Sequence, residues 1–340
     1  MKAALLEKFG EPLKIADVAM PVVGPFDVLV KTAAAGICHT DLGIIDGHVP
    51  IGRLPMILGH EVAGEVVAVG SHVEMPWIGK RVCVSYGLVC GVCAQCHDGN
   101  DTLCDHWQTM GRTVNGGFAE FIAIPVDNVI ALPDNIPYEQ AAIIPCSVAT
   151  AFHAVRRAGV SSRSIVAILG IGGVGLNAVQ FATLAGANVI AVDVIERKLD
   201  LARAFGAQHT INAATNDATA AIKEATGGVG ADVCLEFVGS SRTYKTAIQG
   251  VRRGGMVVIA GFHPNDISIN PLRLMLDEVI VTGAHVANRS EIREIVDLLA
   301  NGKISLQKMV THTLDFADIA SGLDQLRRQD GDPIRIVVKF

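Results

Sequence analysis

The side chains best able to do chemistry arrive early in the chain. Gly36-Ile37-Cys38-His39-Thr40-Asp41 sets a thiol, an imidazole, a hydroxyl and a carboxylate in succession after the small apolar run Ala33-Ala34-Ala35. Taken alone, the stretch reads as well as a polar turn after a strand, with Cys38 a small buried hydrophobe. Gly59-His60-Glu61 and, far downstream, Cys146 change the balance. Two thiolates and one imidazole, with a water in the fourth place, make an open zinc shell suited to catalysis. Spacing does not by itself bring Cys38, His60 and Cys146 together, and His60 alone reads as an ordinary turn histidine.

Cys90-x2-Cys93-x2-Cys96-x7-Cys104 is the strongest local signal. Four thiolates close a tetrahedral Zn²⁺ site with no open position, which makes it structural. Gly87, Gly91 and Gly99 let the chain turn tightly round such an ion. An iron–sulfur cluster is the rival reading, because C-x2-C-x2-C also opens bacterial ferredoxin motifs. Those continue with x3 and a proline, whereas here x7 and then Asp105 follow. Zinc is the expectation. Cys83 and Cys234 lie in valine-rich runs and read as core residues.

Gly170-Ile171-Gly172-Gly173-Val174-Gly175 fits G-x-G-x-x-G. A lone match is weak, but this one follows an apolar strand pattern, opens a helical one, and precedes Asp193 at the end of the next strand. The glycines allow close approach of a pyrophosphate to a helix N-terminus. Asp193 suits the two ribose hydroxyls of an adenosine and repels a 2′-phosphate, so NAD is expected rather than NADP. Arg197 and Lys198 pull the other way, since a cation can accept that phosphate; the carboxylate is taken to decide. The bland alternative is a glycine-rich turn with no ligand.

These residues need a scaffold. At 340 residues the chain is long enough for two domains. Half of it is hydrophobic and 18% is charged, with a net charge of −6. That balance supplies a core and argues against a nucleic-acid or polybasic membrane footprint. The first residues, Met1 to Lys8, do not build a signal-peptide apolar region, and no run of 18 apolar residues occurs. A cytoplasmic protein is expected, its eight cysteines thiols or metal ligands rather than disulfides.

Up to about residue 145 the pattern is β-rich, with valine-rich runs punctuated by Gly24-Pro25, Gly70-Ser71 and Pro133-Asp134. From Ser164 strands and helices alternate. Strands are expected at 165–169, 188–192, 208–211, 232–237, 256–260 and 279–282, with helices at 175–185, 196–205 and 243–251 among those between. That alternation predicts a doubly wound parallel sheet covered on both faces. The gap 268–278 is less clearly helical. The tail offers one or two helices and a last strand at 334–339, returning to the first domain.

In this order and spacing the motifs resemble the zinc-dependent medium-chain alcohol dehydrogenases over essentially the whole chain. The resemblance rests on C-H-T-D at Cys38, Gly59-His60-Glu61 leading into Val62-Ala63-Gly64-Glu65-Val66, the four-cysteine lobe, Pro145-Cys146, and the glycine motif followed by Asp193. It implies a GroES-like catalytic domain (1–148, with a zinc lobe about 87–110), a Rossmann domain (149–287) and a return segment (288–340). Cys38, His60 and Cys146 would ligate a catalytic zinc, with Glu61 behind the metal and Asp41 orienting the His60 ring. Thr40 would take the substrate proton, and His39 would sit near the cofactor phosphates. Thr150 would pack on the nicotinamide, Lys198 would reach the adenosine ribose, and Arg335 would bind pyrophosphate. For Arg335 a solvated strand residue is the plainer alternative.

The implied reaction is reversible hydride transfer between an alcohol and NAD, giving an aldehyde or ketone, with two zinc ions per chain and a homotetramer. Many relatives carry a relay histidine where this chain has Gly43, so the proton must leave through water or another side chain such as His48. Tyr86 and Val49 fall at positions that line the alcohol pocket in relatives, and the small Val49 hints at room beyond ethanol. A polyol or secondary-alcohol dehydrogenase, a carbonyl reductase, and a non-enzymatic cofactor-binding or redox-sensing protein are the alternatives.

Overall fold

The structure, a computed structural model, describes residues 1–262 and 266–340. The chain divides into two compact units, one of Met1–Ala149 with Val286–Phe340 and the other Thr150–His285.

The first unit is built round one long strand, Asp27–Ile37. Its first half alternates, with Val28 and Val30 buried and Lys31 exposed, while its end from Ala34 to Ile37 is buried throughout. Such a change marks a strand that leaves a one-sided sheet and runs into the interior. Glu61–Val69 and Arg335–Lys339 pair with it antiparallel on either side, and Phe121–Pro125 pairs with its first half. The sheet continues through Arg81–Val84 and Val129–Ala131 on one flank and Val310–Asp315 on the other. A smaller sheet joins Lys14–Asp17, Lys2–Leu6 and Met56–Ile57.

Register matters here more than strand count. Gly36 lies opposite both Glu61 and Val337. Carried one or two residues on, the same pairing sets Cys38, His60 and Arg335 together at one end of three adjacent strands. A slip of one residue would turn their side chains to the opposite face.

The second unit is a six-stranded parallel sheet in the order His209–Asn212, Asn188–Asp193, Ile165–Leu169, Ala231–Glu236, Val251–Ile259, Ile280–Gly283. The order reverses beside Ile165–Leu169, which makes the end of that strand the switch point of a doubly wound sheet. Helices Gly173–Leu184, Glu196–Ala204, Ala218–Ala225 and Ser241–Gly250 make the first four crossovers. The weakly patterned gap holds a short helix, Pro271–Asp277, started by Asn270, which accepts from the Leu272 amide, and by a proline in the first turn. Leu272, Met275 and Leu276 are largely exposed and only Leu274 among its large apolar residues packs on the core, so no apolar stripe announces it. Residues 251–255 belong to the fifth strand, which is longer than its apolar run because Arg252 and Arg253 lie inside it.

In the tail, helices Arg289–Ala300 and Ile319–Arg328 precede the last strand, with Val310–Asp315 between them. Arg327 grips Asp46, the residue that ends the His39–Ile45 helix, through two hydrogen bonds of 2.7 and 2.9 Å. The guanidinium holds the Asp46 carboxyl below the usual range. A depressed carboxylate stabilises the fold above its unfolded pKa and loses that contribution as pH falls through the folded value. Asp46→Asn should therefore cost about 0.5–1 kcal/mol at pH 7, for a partly exposed pair. The thermal midpoints of variant and parent should begin to approach one another as pH falls below about 4 and meet below the folded Asp46 value. A gap that does not shrink over that range would remove the ion pair as its cause.

Candidate active site

Strand Asp27–Ile37 ends at Cys38, which is extended (φ −121°) and caps the helix His39–Ile45. Asp41 turns back to accept a 2.9 Å hydrogen bond from the Cys38 amide, so the C-H-T-D stretch is a strand-to-helix corner braced by its own carboxylate. The other oxygen of Asp41 lies 3.4 Å from Nδ1 of His60. The ring also hydrogen-bonds with Cys38, so with Nδ1 facing Asp41 its other nitrogen, Nε2, is the one that could donate to a metal. Tyr86 stacks edge-on against His60 at 5.0 Å.

Cys146 comes from a different place. It sits in a π-helical stretch, Ile144–Val148, where an extra residue per turn widens the helix. The stretch packs on strands Glu61–Val69 and Arg81–Val84 and on the helix Arg289–Ala300. Cys38, His60, Glu61 and Cys146 each bring one donor atom within 4.8 Å of the others, and all four are buried. Gly36 makes room for Glu61: a Cβ at Gly36 would lie 2.1 Å from Oε2 of that carboxylate.

The electrostatics of the cluster call for a cation. Burial pushes the Glu61 carboxyl up to about 7, against the pull of Arg335. Arg335 is not a solvated strand residue; it is buried, with Nη1 3.1 Å from Glu61 Oε1. Its own pKa is raised: burial opposes the charge, but Glu61 and the two thiols outweigh it. Hydrogen bonding between the two thiols lowers Cys38 and raises Cys146, as expected of a pair sharing one proton. Burial disfavours a charged His60, yet Asp41 and then Cys38 lift it well above the ordinary imidazole value. Both Glu61 oxygens, Asp41 Oδ1 and Arg335 Nε lack a hydrogen-bond partner although buried. Unmatched polar atoms of this kind are costly, and a divalent cation replacing the thiol protons would satisfy the donor set. The residues fit a zinc ion.

Thr40 and His39 are exposed. The Thr40 hydroxyl is 3.7 Å from Cys38 Sγ, and Nε2 of His39 lies 3.4 Å from Nε2 of Gln329. His48 is also exposed, and its charge bears on Asp46. Val49 is buried in the core of this unit. Cys83 and Cys234 are fully buried strand residues, their thiols pushed up to about 12 by burial.

The second cysteine group also closes. Sulfur separations are 3.5 Å for Cys93–Cys96, 3.6 Å for Cys90–Cys104, and 4.0 Å for Cys90–Cys96 and Cys93–Cys104. A tetrahedron of Zn–S bonds at about 2.3 Å requires edges of about 3.8 Å, whereas a disulfide needs about 2.05 Å. Cys104 Sγ accepts from the Cys90 and His106 amides.

In the second unit Gly170 has φ +92°, and the Gly173–Leu184 helix starts behind Gly172. A Cβ on Gly175 would fall 1.8 Å from the Gly170 carbonyl, while one on Gly172 would meet nothing. The turn is thus tight on its inner side and open on its outer side, where the first-turn amides, Val174 among them, lack helical partners. That is a cradle for a pyrophosphate. Asp193 accepts from the Ile171 amide (2.7 Å) and from the Val194 and Ile195 amides (2.8 and 3.0 Å), which locks its carboxylate beside the turn. Lys198 is buried on the following helix, and Thr150 begins this unit.

Two contacts have no local sequence signal, Glu61–Arg335 and His60–Tyr86. The Asp41 brace on Cys38 had one, a carboxylate three residues after the cap.

Comparison with known proteins adds to this geometry. Residues 24–134 match the family described as alcohol dehydrogenase GroES-like domain, and residues 173–301 the family described as zinc-binding dehydrogenase. An alcohol dehydrogenase of Geobacillus stearothermophilus is 39% identical over 306 residues, covering 89% of this chain and 90% of that one. An NAD-dependent alcohol dehydrogenase of Sulfolobus acidocaldarius is 34% identical over 340 residues, covering 96% of each. Among solved structures, the alcohol dehydrogenase of Aeropyrum pernix superposes with a TM-score of 0.92 at 34% identity, covering 100% of both chains.

Gly175→Ala should weaken NADH binding at least tenfold, because the helix must move off the Gly170 carbonyl, while zinc content stays unchanged. Fluorescence titration measures the first and elemental analysis the second; unaltered NADH affinity would mean that the turn does not hold the cofactor.

Proposed function

The chain belongs to the zinc-dependent medium-chain alcohol dehydrogenases, and from that membership we propose which of its residues carry the reaction. The enzyme is an NAD-dependent oxidoreductase that interconverts alcohols with aldehydes or ketones, and its cofactors are zinc and NAD. The single observation that supports the site assignment is the convergence of Cys38, His60, Glu61 and Cys146 within 4.8 Å.

Cys38, His60 and Cys146 would hold the catalytic zinc, with Glu61 in reserve as a fourth protein donor. When bound, the metal supplies a Lewis acid that lowers the pKa of an alcohol hydroxyl toward neutrality, and NAD supplies the hydride acceptor. Asp41 fixes the tautomer and plane of His60 by facing Nδ1, the arrangement that raises the basicity of the other ring nitrogen. Thr40 receives the hydroxyl proton; its side chain stands exposed beside the Cys38 sulfur. Gly43 offers nothing to continue a relay, so the proton leaves Thr40 through water or through another side chain such as the exposed His48. Arg335 neutralises Glu61 and the thiolates from behind, and its guanidinium, with Nε unpartnered, would bind the cofactor pyrophosphate. His39 contributes to phosphate binding from the surface.

Gly170, Gly172, Gly173, Val174 and Gly175 hold the pyrophosphate, and Asp193 and Lys198 the adenosine ribose. Thr150 packs against the nicotinamide. Cys90, Cys93, Cys96 and Cys104 hold the structural zinc. Val49 and Tyr86 line the alcohol pocket, a placement that the Tyr86–His60 contact supports. We further propose a homotetramer, on the resemblance to shorter microbial members. A cytoplasmic location is proposed from eight free cysteines; no described helix is long and apolar enough to cross a membrane.

A panel of alcohols and carbonyl compounds followed by NADH absorbance tests the reading, with chelator expected to abolish turnover. Cys38→Ser should lower turnover by at least a thousandfold and leave NADH affinity intact; an active Cys38→Ser enzyme would exclude the metal assignment. Asp193→Ala should relax the preference for NAD over NADP by tenfold or more in kcat/KM. An unaltered enzyme that prefers NADP would overturn the role given to Asp193.

A further inference from the structure

The four-cysteine lobe is tied to the rest of its unit by a contact that metal binding alone does not require. Asp101 lies inside the lobe, between Cys96 and Cys104, and is buried. Its Oδ2 accepts from the Arg289 amide and from Arg289 Nε, both at 3.0 Å, and its Oδ1 accepts from Nη2 at 3.2 Å. The next residue completes the clamp: the Thr102 amide donates to Asn288 Oδ1 at 3.3 Å. Asn288 is the cap of the helix Arg289–Ala300 and Arg289 its first residue. A backbone amide, a guanidinium fork and a cap side chain are thus all spent on one lobe carboxylate and its neighbour.

The helix so held is the one that packs on Ile144–Val148, the π-helical stretch carrying Cys146. Its buried face is Ile292, Ile295 and Val296. On its far side Arg289 meets Asp127, at 3.7 Å from Nη1 and largely exposed, and it also interacts electrostatically with the lobe thiol Cys96. A continuous set of contacts therefore runs from the lobe through Asp101 and Arg289 to the helix, and from the helix to the element that carries Cys146.

We propose that Asp101 and Arg289 are positioning residues that couple the lobe to the catalytic cluster, so that retention of metal by Cys38, His60 and Cys146 depends on an ordered lobe. The proposal rests on the reading of both clusters as zinc sites. Loss of the clamp frees the first turn of the helix, loosens its packing on 144–148, and lets the Cys146 sulfur drift from the donor set. Residues that orient a ligand in this indirect way typically change metal affinity by about 10- to 100-fold.

Zinc release from the loaded full-length enzyme to a chromogenic chelator tests this. It is followed for the parent, Asp101→Asn, Arg289→Gln, the double variant and Asp127→Asn, each well below its thermal midpoint. The release phase missing from Cys38→Ser is the catalytic one. Asp101→Asn and Arg289→Gln should each accelerate that phase about tenfold or more. The double variant should be no faster than the faster single, because both remove one contact, and Asp127→Asn should match the parent. Arg289→Lys, which keeps the charge but not the fork, should fall between and serves if Arg289→Gln does not fold. Acceleration confined to the lobe phase, or additive effects in the double variant, would overturn the coupling while leaving both zinc sites in place. A parent enzyme with fewer than two zinc ions per chain would overturn the reading of the sites themselves.

Discussion

Two thiols, an imidazole, two carboxylates and a guanidinium buried at one end of three strands form an arrangement that water cannot stabilise and the protein only partly does. Asp41 has one amide and one imidazole to face, and Glu61 has Arg335 at 3.1 Å but no well-aligned hydrogen bond. Removing any one member would leave a buried charge without its counterpart, a loss of several kcal/mol in comparable cases. A divalent ion would supply positive charge at the centre, and the first unit leaves room for one there: a glycine at 36, a corner at Cys38, a widened helix at Cys146.

The two units solve different problems with different geometry. Antiparallel pairing allows Cys38, His60 and Arg335, from three separate parts of the chain, to meet with errors no larger than a register step. Parallel pairing in Thr150–His285 instead aligns strand ends, so that the turn after Ile165–Leu169 and Asp193 at the end of the next strand stand side by side. The first arrangement suits a metal, which needs donors from all directions. The second suits a long ligand, which needs a row of amides and one carboxylate.

Legibility in the sequence followed contact distance. The glycine turn is a six-residue event and the lobe a fifteen-residue one, so spacing already carried their geometry, down to sulfurs at tetrahedral distances. The parallel sheet was readable because its central strands are short apolar runs; the fifth strand and the Pro271–Asp277 helix were less so, since arginines sit in one and exposed apolar residues in the other. Cys38, His60 and Cys146 are more than a hundred residues apart at the extremes, and only family resemblance joined them on paper. Arg335 illustrates the limit: a lone arginine entering a strand looks solvated, and nothing nearby in sequence tells of Glu61 lying behind it. The Asp101–Arg289 clamp, spanning 188 residues, had no sequence signal at all.

The most direct test is anomalous diffraction at the zinc edge from crystals of the purified enzyme. Two peaks per chain are expected, one bonded by the sulfurs of Cys38 and Cys146 and an imidazole nitrogen of His60, the other enclosed by Cys90, Cys93, Cys96 and Cys104. A peak in the lobe alone, with the Cys38, His60 and Cys146 donors apart and nothing bound among them, would contradict the account.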